Sequence, residues 1–504
     1  MANPGDLILA IDQGTSAAKV VLFDLAGRVL AAAGGETPVR YPHPTWIESD
    51  AESWWEVVSA GIRAVLGHPD VRAERVRAVG LCGFMHTLVP VDARGRSLYP
   101  PMLWPDQRSA PEAEMLAAHS DLFARTVGRP PTTMLAAPRL AWLRTRHPVV
   151  LERAHRFLLP KDILRFRLTG EFATDSRDAS GTGLIDRSTG RWSREVLDLV
   201  GVSPDQMPPI RRCDEVAGVV TREAEAETGL RAGTPVVVGS GDWFTTVVGS
   251  GCYLPERTCF YMGTAGILGS FASAEELDRL GATRHFGTAT ATGSALRWVR
   301  ELFCEAPNVG RSTPNEMTYA ELCAEAEGSE PGARGLLFLP HLMGERGGAP
   351  QPHARGAIFG LTLAHRRRDV VRAVLEGTAL WLRVTAEPFL AQQPPGDFLA
   401  LGGGARSRLW RQVFGAVFGR RFLLPEVVEG GALGAAMFAA VGAGLRRSYR
   451  ELAAEWTRIV AVEEPDPELT VRYEQVYRDF RELEQALAPL YRPRDWTEHG
   501  AGEA

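Results

Sequence analysis

Residues 9–24 read LAIDQGTSAAKVVLFD. An apolar run stops at Asp12, a Gly14-Thr15-Ser16 turn follows, and a second apolar run ends at Asp24. Such a turn leaves backbone amides and two hydroxyls bare, and glycine lets the chain approach an anion closely. A carboxylate just before the turn can hold Mg²⁺ through water, because that ion keeps much of its hydration shell. These residue types fit a phosphate group; a plain polar turn is the alternative. Residues 258–271, TCFYMGTAGILGSF, repeat the form, with Gly263-Thr264-Ala265-Gly266 between apolar runs. Two such hairpins favour phosphate binding over two unrelated turns.

Other residues fit the chemistry of phosphate transfer to a hydroxyl. In GSGDWF, Asp242 stands where a strand ends, placed to accept the proton of an attacking hydroxyl or, more plainly, to cap a helix. Met85-His86 interrupts two apolar runs and offers a shelf for a substrate, or a structural histidine. Trp104, in LWPDQR with Asp106 and Arg108, can pack on the apolar face of a small polyol, or serve as a core tryptophan beside a surface ion pair. Gly402-Gly403-Gly404 can lie flat against a nucleobase or ribose, although it is no GxGxxG fingerprint.

The chain that must position them has 504 residues, enough for several cores, with 45% apolar and 23% charged residues and a net charge of −5. That balance argues against nucleic acid or an anionic membrane as a partner. The weakly polar run 430–444 is shorter than the about 20 residues of a membrane span and reads as a packed helix. The 6 cysteines are scattered without a CxxC, the usage of a reduced, cytoplasmic enzyme. Lysine occurs only at Lys19 and Lys161, neither in Gly-Lys-Ser/Thr context, so no Walker A loop exists.

Strands are expected at 7–11 and 19–24. Ser49-Asp50-Ala51-Glu52 has capping-box spacing before a helix whose apolar face carries Trp54, Val58, Ile62 and Val65. A helix is expected over 368–389, and an amphipathic one over 466–491 that packs on the second half. The repeated hairpin suggests a duplicated α/β fold with a cleft between the halves. We divide it at 1–248 and 249–492, with 493–504 as a flexible tail.

In their order along nearly the whole chain, IDQGTSAAKVVLFD, WIESDAESWW, GFMHTLVPVD, LWPDQR, LLPKDILRFRLTGEFATDSRDASGT, MGTAG, LPHLMGER and LGGGARS resemble landmarks of the FGGY carbohydrate kinases, xylulokinase-like branch. The resemblance implies an α/β fold of two actin-like, ribonuclease-H-like domains around a cleft, with ATP and Mg²⁺ as cofactors and a sugar or polyol as acceptor. It implies Asp242 as catalytic base, Met85, His86 and Trp104 at the sugar, and Asp12 at Mg-ATP. Thr15, Ser16 and Thr264 match phosphate hairpins; Gly293, Arg297 and Gly404 match nucleotide contacts. A cytoplasmic homodimer without nucleic-acid or membrane partners is implied as well. Three departures stand out. Trp243 follows the base where the family has asparagine at the sugar, Ala265 replaces a frequent serine, and Glu345-Arg346-Gly347-Gly348 replaces Glu-Arg-Thr-Pro. D-xylulose is the first expected acceptor; another ketose, a polyol or an aldonate is the alternative. An actin-like ATPase acting on protein, or a sugar-binding regulator without kinase activity, is the alternative of another class.

Overall fold

The computed structural model describes residues 5–43, 45–253, 256–304, 317–345, 351, 353–391 and 396–492. It divides into two compact units: Met1–Gly251 with Gly430–Thr457, and Cys252–Glu429 with the chain from Arg458 onward. The expected tail 493–504 lies outside the described residues.

Unit 1 opens with β1 (Leu7–Gln13), β2 (Ala17–Asp24) and β3 (Val29–Glu36), an antiparallel meander. Leu7 to Ile11 of β1 are fully buried, as befits a central strand covered on both faces. Helix α1 (Ala51–Leu66) buries the expected stripe. Its N-cap is Asp50, whose carboxylate accepts from Glu52 N at 3.0 Å. The Ser49 hydroxyl, read as the box residue, donates instead to the Pro38 carbonyl at 2.8 Å and accepts from Trp54 Nε1. Next come β4 (Val76–Gly83), α2 (Ala136–Arg146), α3 (Pro160–Thr169) and the short α4 (Ser176–Ser180). Then follow β5 (Val216–Val219), β6 (Pro235–Val237), β7 (Ser240–Gly241) and α5 (Asp242–Ser250). The sheet runs β5-β6-β4-β1-β2-β3, with β7 also paired to β4.

Unit 2 repeats the design. β8 (Arg257–Met262), β9 (Gly266–Phe271) and β10 (Thr283–Ala289) form a second antiparallel meander, followed by α6 (Gly293–Cys304). Helix α7 (Arg367–Leu390) spans the stretch expected as helix. β11 (Asp397–Leu401) and β12 (Phe422–Pro425) follow it, and the helix itself packs chiefly against β10 in the unit's core. The chain then returns to unit 1 as α8 (Gly430–Gly442) and α9 (Tyr449–Trp456). It ends with β13 (Ile459–Glu463) and α10 (Pro467–Leu487) in unit 2. Tyr473, Tyr477 and Phe480 of α10 enter that unit's core. The sheet order is β10-β9-β8-β11-β12-β13. In each unit a meander is followed by two parallel strands and an antiparallel edge.

The sequence division at 248 therefore differs from the packing at one returning segment, which holds α8 and α9. Residues 430–457 belong with unit 1 because α8 is small and apolar on all sides. A Cβ at Gly434 would collide with the Thr245 carbonyl of α5, and one at Gly80 of β4 with the Ala435 carbonyl of α8.

Candidate active site

β1, β4 and β7 run parallel, so their C-terminal ends deliver residues to one edge of unit 1. Asp12 pairs with Cys82, and Cys82 with Ser240; Gly83 pairs with Gly241. Asp242 follows at once as the first residue of α5. Asp12 and Asp242 thus flank Cys82 from either side. All three interact: burial, then the charges of Asp12 and Asp242, push the Cys82 thiol up. Asp242 is half-buried, and its Oδ1 accepts from Trp243 N at 2.7 Å. Desolvation first, and the Asp12 charge second, raise its pKa to about 7. Gly431 of α8 closes the other side, where a Cβ would lie 2.7 Å from Asp12 Oδ2 and 3.3 Å from Cys82 Sγ.

The turn between β1 and β2 is tight, with Gly14 N donating to the Ala17 carbonyl at 2.9 Å. Thr15 and Ser16 are half-buried on it. Trp104 Nε1 donates to Thr15 Oγ1 at 3.2 Å, which leaves the threonine O–H to donate elsewhere. Trp104 is thereby placed at the hairpin. Its neighbours Asp106 and Arg108 form a fully buried ion pair rather than a surface one, with Arg108 also on Glu48 and 4.0 Å over the Trp46 ring.

Met85-His86 does break the two strands, between β4 and the short strand Val89–Val91. His86 has φ of 73°, a left-handed conformation rare outside glycine and held only where surroundings fix it. Its Nδ1–H donates to the Gly181 carbonyl at 2.7 Å. Burial, then the positive charge of Arg129, lower its pKa to about 3, so the ring is neutral and Nε2 is an acceptor. A Cβ at Gly241 would lie 2.6 Å from Met85 Cγ, and one at Gly181 3.0 Å from His86 Nδ1. The pair is wedged between the residue preceding Asp242 and the end of α4.

Two supports carry no sequence signal of their own role. Arg139 of α2, buried, donates to the carbonyls of Leu103, Thr133, Met134 and His86, bracing the histidine to the segment of Trp104. Lys161, fully buried, pairs with Asp162 at 2.7 Å, Asp178 at 3.2 Å and Asp175 at 3.3 Å. Asp175 in turn accepts from Ser240 Oγ at 2.7 Å, two residues before Asp242. The sequence showed only that Lys161 was no Walker lysine.

In unit 2, exposed Thr264 sits on the β8–β9 turn. The start of α6 clamps this turn: Gly293 N donates to the Gly263 carbonyl at 2.9 Å, and Ser294 N to the Thr264 carbonyl at 3.2 Å. A Cβ on Gly293 would collide with the Gly263 carbonyl at 2.5 Å. β11 pairs with β8 so that Leu401 faces Tyr261, which brings Gly402-Gly403-Gly404 beside the same turn. A Cβ at Gly404 would lie 3.0 Å from the Met262 carbonyl, whereas Gly403 has nothing within 4 Å. Thr264, Gly293 and Gly404 are thus brought together; Arg297 is exposed further along α6. Of the departures, Ala265 uses its carbonyl to accept from Gly263 N at 3.1 Å, and residues 346–350 lie outside the described residues.

Comparison with known proteins defines the class. The N-terminal domain of the FGGY family of carbohydrate kinases matches residues 7–249, and its C-terminal domain matches residues 256–443. The xylulose kinase of Escherichia coli strain K12 is 32% identical, covering 96% of this chain and 100% of that protein. The gluconokinase of Bacillus subtilis strain 168 is 27% identical, over 88% of each chain. The crystal structure of xylulose kinase from Rhodospirillum rubrum superposes with a TM-score of 0.78 at 31% identity, covering 96% and 99% of the two chains. The chain belongs to the FGGY family of carbohydrate kinases, and its two units have the actin-like fold. It is a carbohydrate kinase. Among the described residues no helix is long and apolar enough to cross a membrane.

Proposed function

We propose that the chain transfers the γ-phosphoryl group of ATP to a primary hydroxyl of a small sugar, with D-xylulose the first acceptor to test. The observation that carries this reading is Asp242. It stands at a strand end beside Asp12, with a carboxyl whose proton affinity is raised to about 7. A base of that strength accepts a hydroxyl proton more readily than an ordinary aspartate does. His86 Nε2 holds a second hydroxyl of the sugar, Met85 lines its apolar face, and Trp243 covers the position next to the base. Thr15, Ser16 and Thr264 donate to the nucleotide's phosphates, and Gly293, Arg297 and Gly404 receive the rest of ATP. As elsewhere in phosphoryl transfer, positioning and electrostatics supply most of the rate.

Asp12 suits Mg²⁺. It is a half-buried hard-oxygen ligand, and its charge is felt by Asp242. Among the described residues no group of three or more His, Cys, Asp or Glu forms a cage. That agrees with an ion held by one carboxylate through water and by the phosphates. The chemistry such an ion supplies when bound is neutralisation of charge on the phosphates.

The 27% identity to a gluconokinase keeps an aldonate as the second reading. We place the reaction in the cytoplasm, as the buried free cysteines support, with a homodimer as the working assembly. ADP release from Mg-ATP, measured with and without D-xylulose and D-gluconate, tests the reading. Asp242→Asn is expected to cost several orders of magnitude in sugar-dependent turnover while calorimetry still detects ATP binding. Near-normal turnover in that variant would remove Asp242 as the base.

A further inference from the structure

Arg129 lies in the segment between the Ser120–Thr126 helix and α2. Its Nη2 donates to the Ser180 carbonyl at 2.6 Å, and this is the one protein hydrogen bond it makes among the described residues. The next carbonyl, that of Gly181, takes the His86 Nδ1–H at 2.7 Å. Arg129 and His86 are therefore pinned to consecutive peptide groups at the end of α4, whose Cα atoms lie about 3.8 Å apart. The two side chains also interact electrostatically: burial first, and the guanidinium charge second, hold the imidazole neutral.

Arg129 is half-buried, and the fully buried arginines are all compensated. Arg108 has Asp106 and Glu48, Arg165 has Asp162, Arg372 has Glu376 and Arg411 has Glu463. Arg139 spends its donors on four carbonyls. Arg129 has no carboxylate within ion-pair distance among the described residues, and desolvation lowers its pKa with no opposing charge to offset it. A cation taken partly out of water without a counter-charge costs free energy. A ligand oxygen that fills its open donors recovers that cost.

We propose that Arg129 is a specificity residue of the acceptor site, binding a trigonal carbonyl-type oxygen of the sugar while His86 Nε2 accepts the proton of the neighbouring hydroxyl. The proposal rests on the kinase reading above and narrows its substrate class. A guanidinium only donates, and with Nδ1–H committed to Gly181 the neutral imidazole only accepts. The pair is complementary to an acceptor-only oxygen beside an O–H. The C2 carbonyl of a ketose provides that, and so does the C1 carboxylate of an aldonate. A polyol offers only hydroxyls, so the oxygen at Arg129 would bring a proton for which neither Arg129 nor His86 Nδ1–H is an acceptor, in a partly desolvated place. A charged donor on a carbonyl or carboxylate is also the stronger bond.

The test compares D-xylulose, D-gluconate and xylitol as acceptors at saturating Mg-ATP, for the native chain, Arg129→Met and Arg129→Lys, with thermal melts to confirm folding. The native chain is expected to prefer D-xylulose or D-gluconate to xylitol, and which of the two it prefers identifies the carbonyl or the carboxylate as the group read. Arg129→Met is expected to raise KM for that acceptor by about 10- to 100-fold, the worth of one charge-assisted hydrogen bond, with xylitol little changed. Arg129→Lys, which keeps the charge, is expected to fall between. Preference for xylitol, an equal loss on all three acceptors, or no loss on any would overturn the role of Arg129 and leave the kinase reading standing. No acceptor-dependent ADP release from the native chain would sink both.

Discussion

At the scale of single residues, the unusual group is Asp242. An aspartate that must take a proton gains from a high proton affinity, and burial beside Asp12 supplies it. The same arrangement weakens the fold. The unfolded carboxyl titrates at 3.8 and the folded one at about 7. Between those values the folded state keeps a proton that the unfolded state has lost. Stability therefore declines as pH rises through that window, and the full penalty is present above it. Asp242→Asn escapes this penalty. It is expected to melt a few degrees above the native protein at pH 8, with the gap closing towards pH 4. A gap that does not change with pH would show that the neutral amide gains its stability elsewhere. With Asp242 as the proposed base, catalysis and stability are opposed at one side chain, and the variant expected to lose turnover is the one expected to melt later.

At the scale of elements, α8 does two things through glycines three residues apart. Gly434 lets α8 seat on the Thr245 carbonyl, and Gly431 leaves room for the Asp12 carboxylate. Gly434→Ala is expected to destabilise unit 1 by about 1–3 kcal/mol, because a backbone carbonyl cannot swing aside, with kcat little changed. Gly431→Ala places a methyl 2.7 Å from Asp12 Oδ2, a side-chain atom that can move. It is expected to leave the melting temperature nearly unchanged and to raise the KM for Mg-ATP. Thermal melts and initial rates on the two variants separate the effects; the same loss of stability in both would mean that Asp12 cannot move. These elements also show what the sequence made legible. The β1–β2 and β8–β9 hairpins, the break at Met85-His86 and the strand end at Asp242 are local features, written in neighbouring residues. Arg129 reaches Ser180 and Arg139 reaches His86 only after folding, across 51 and 53 positions, and Lys161 reaches Asp178 across 17. Nothing in their own neighbourhoods marks them. The partner of α8 was hidden for another reason: a helix apolar on all sides carries no stripe to say which surface it covers.

At the scale of the molecule, one strand pattern is used twice, and the chain crosses from unit 2 back to unit 1 to finish the first copy. Length of chain is not what holds that arrangement together, because the crossing points are already closed. A Cβ on Gly249 would collide with the Gly430 carbonyl, so the end of the first segment meets the start of the returning one. In unit 2, Glu426 N donates to the Arg458 carbonyl at 2.8 Å, so the two sides of the excursion are neighbours there as well. Residues 1–251 alone lack α8 and α9, which leaves the buried faces of β1, β4 and α5 in water. That fragment is expected to aggregate or to unfold without a cooperative transition. Joining 251 to 430 through a short glycine-serine linker and ending at 457 restores the missing layer without any of unit 2. The joined fragment is expected to unfold in a single urea transition, followed by far-ultraviolet circular dichroism and by tryptophan fluorescence. Coincident curves would establish residues 430–457 as part of the first domain's folding unit. A cooperative transition for 1–251 alone would show instead that α8 adds to a domain already able to fold, and that its glycines serve the carboxylate of Asp12 rather than the core.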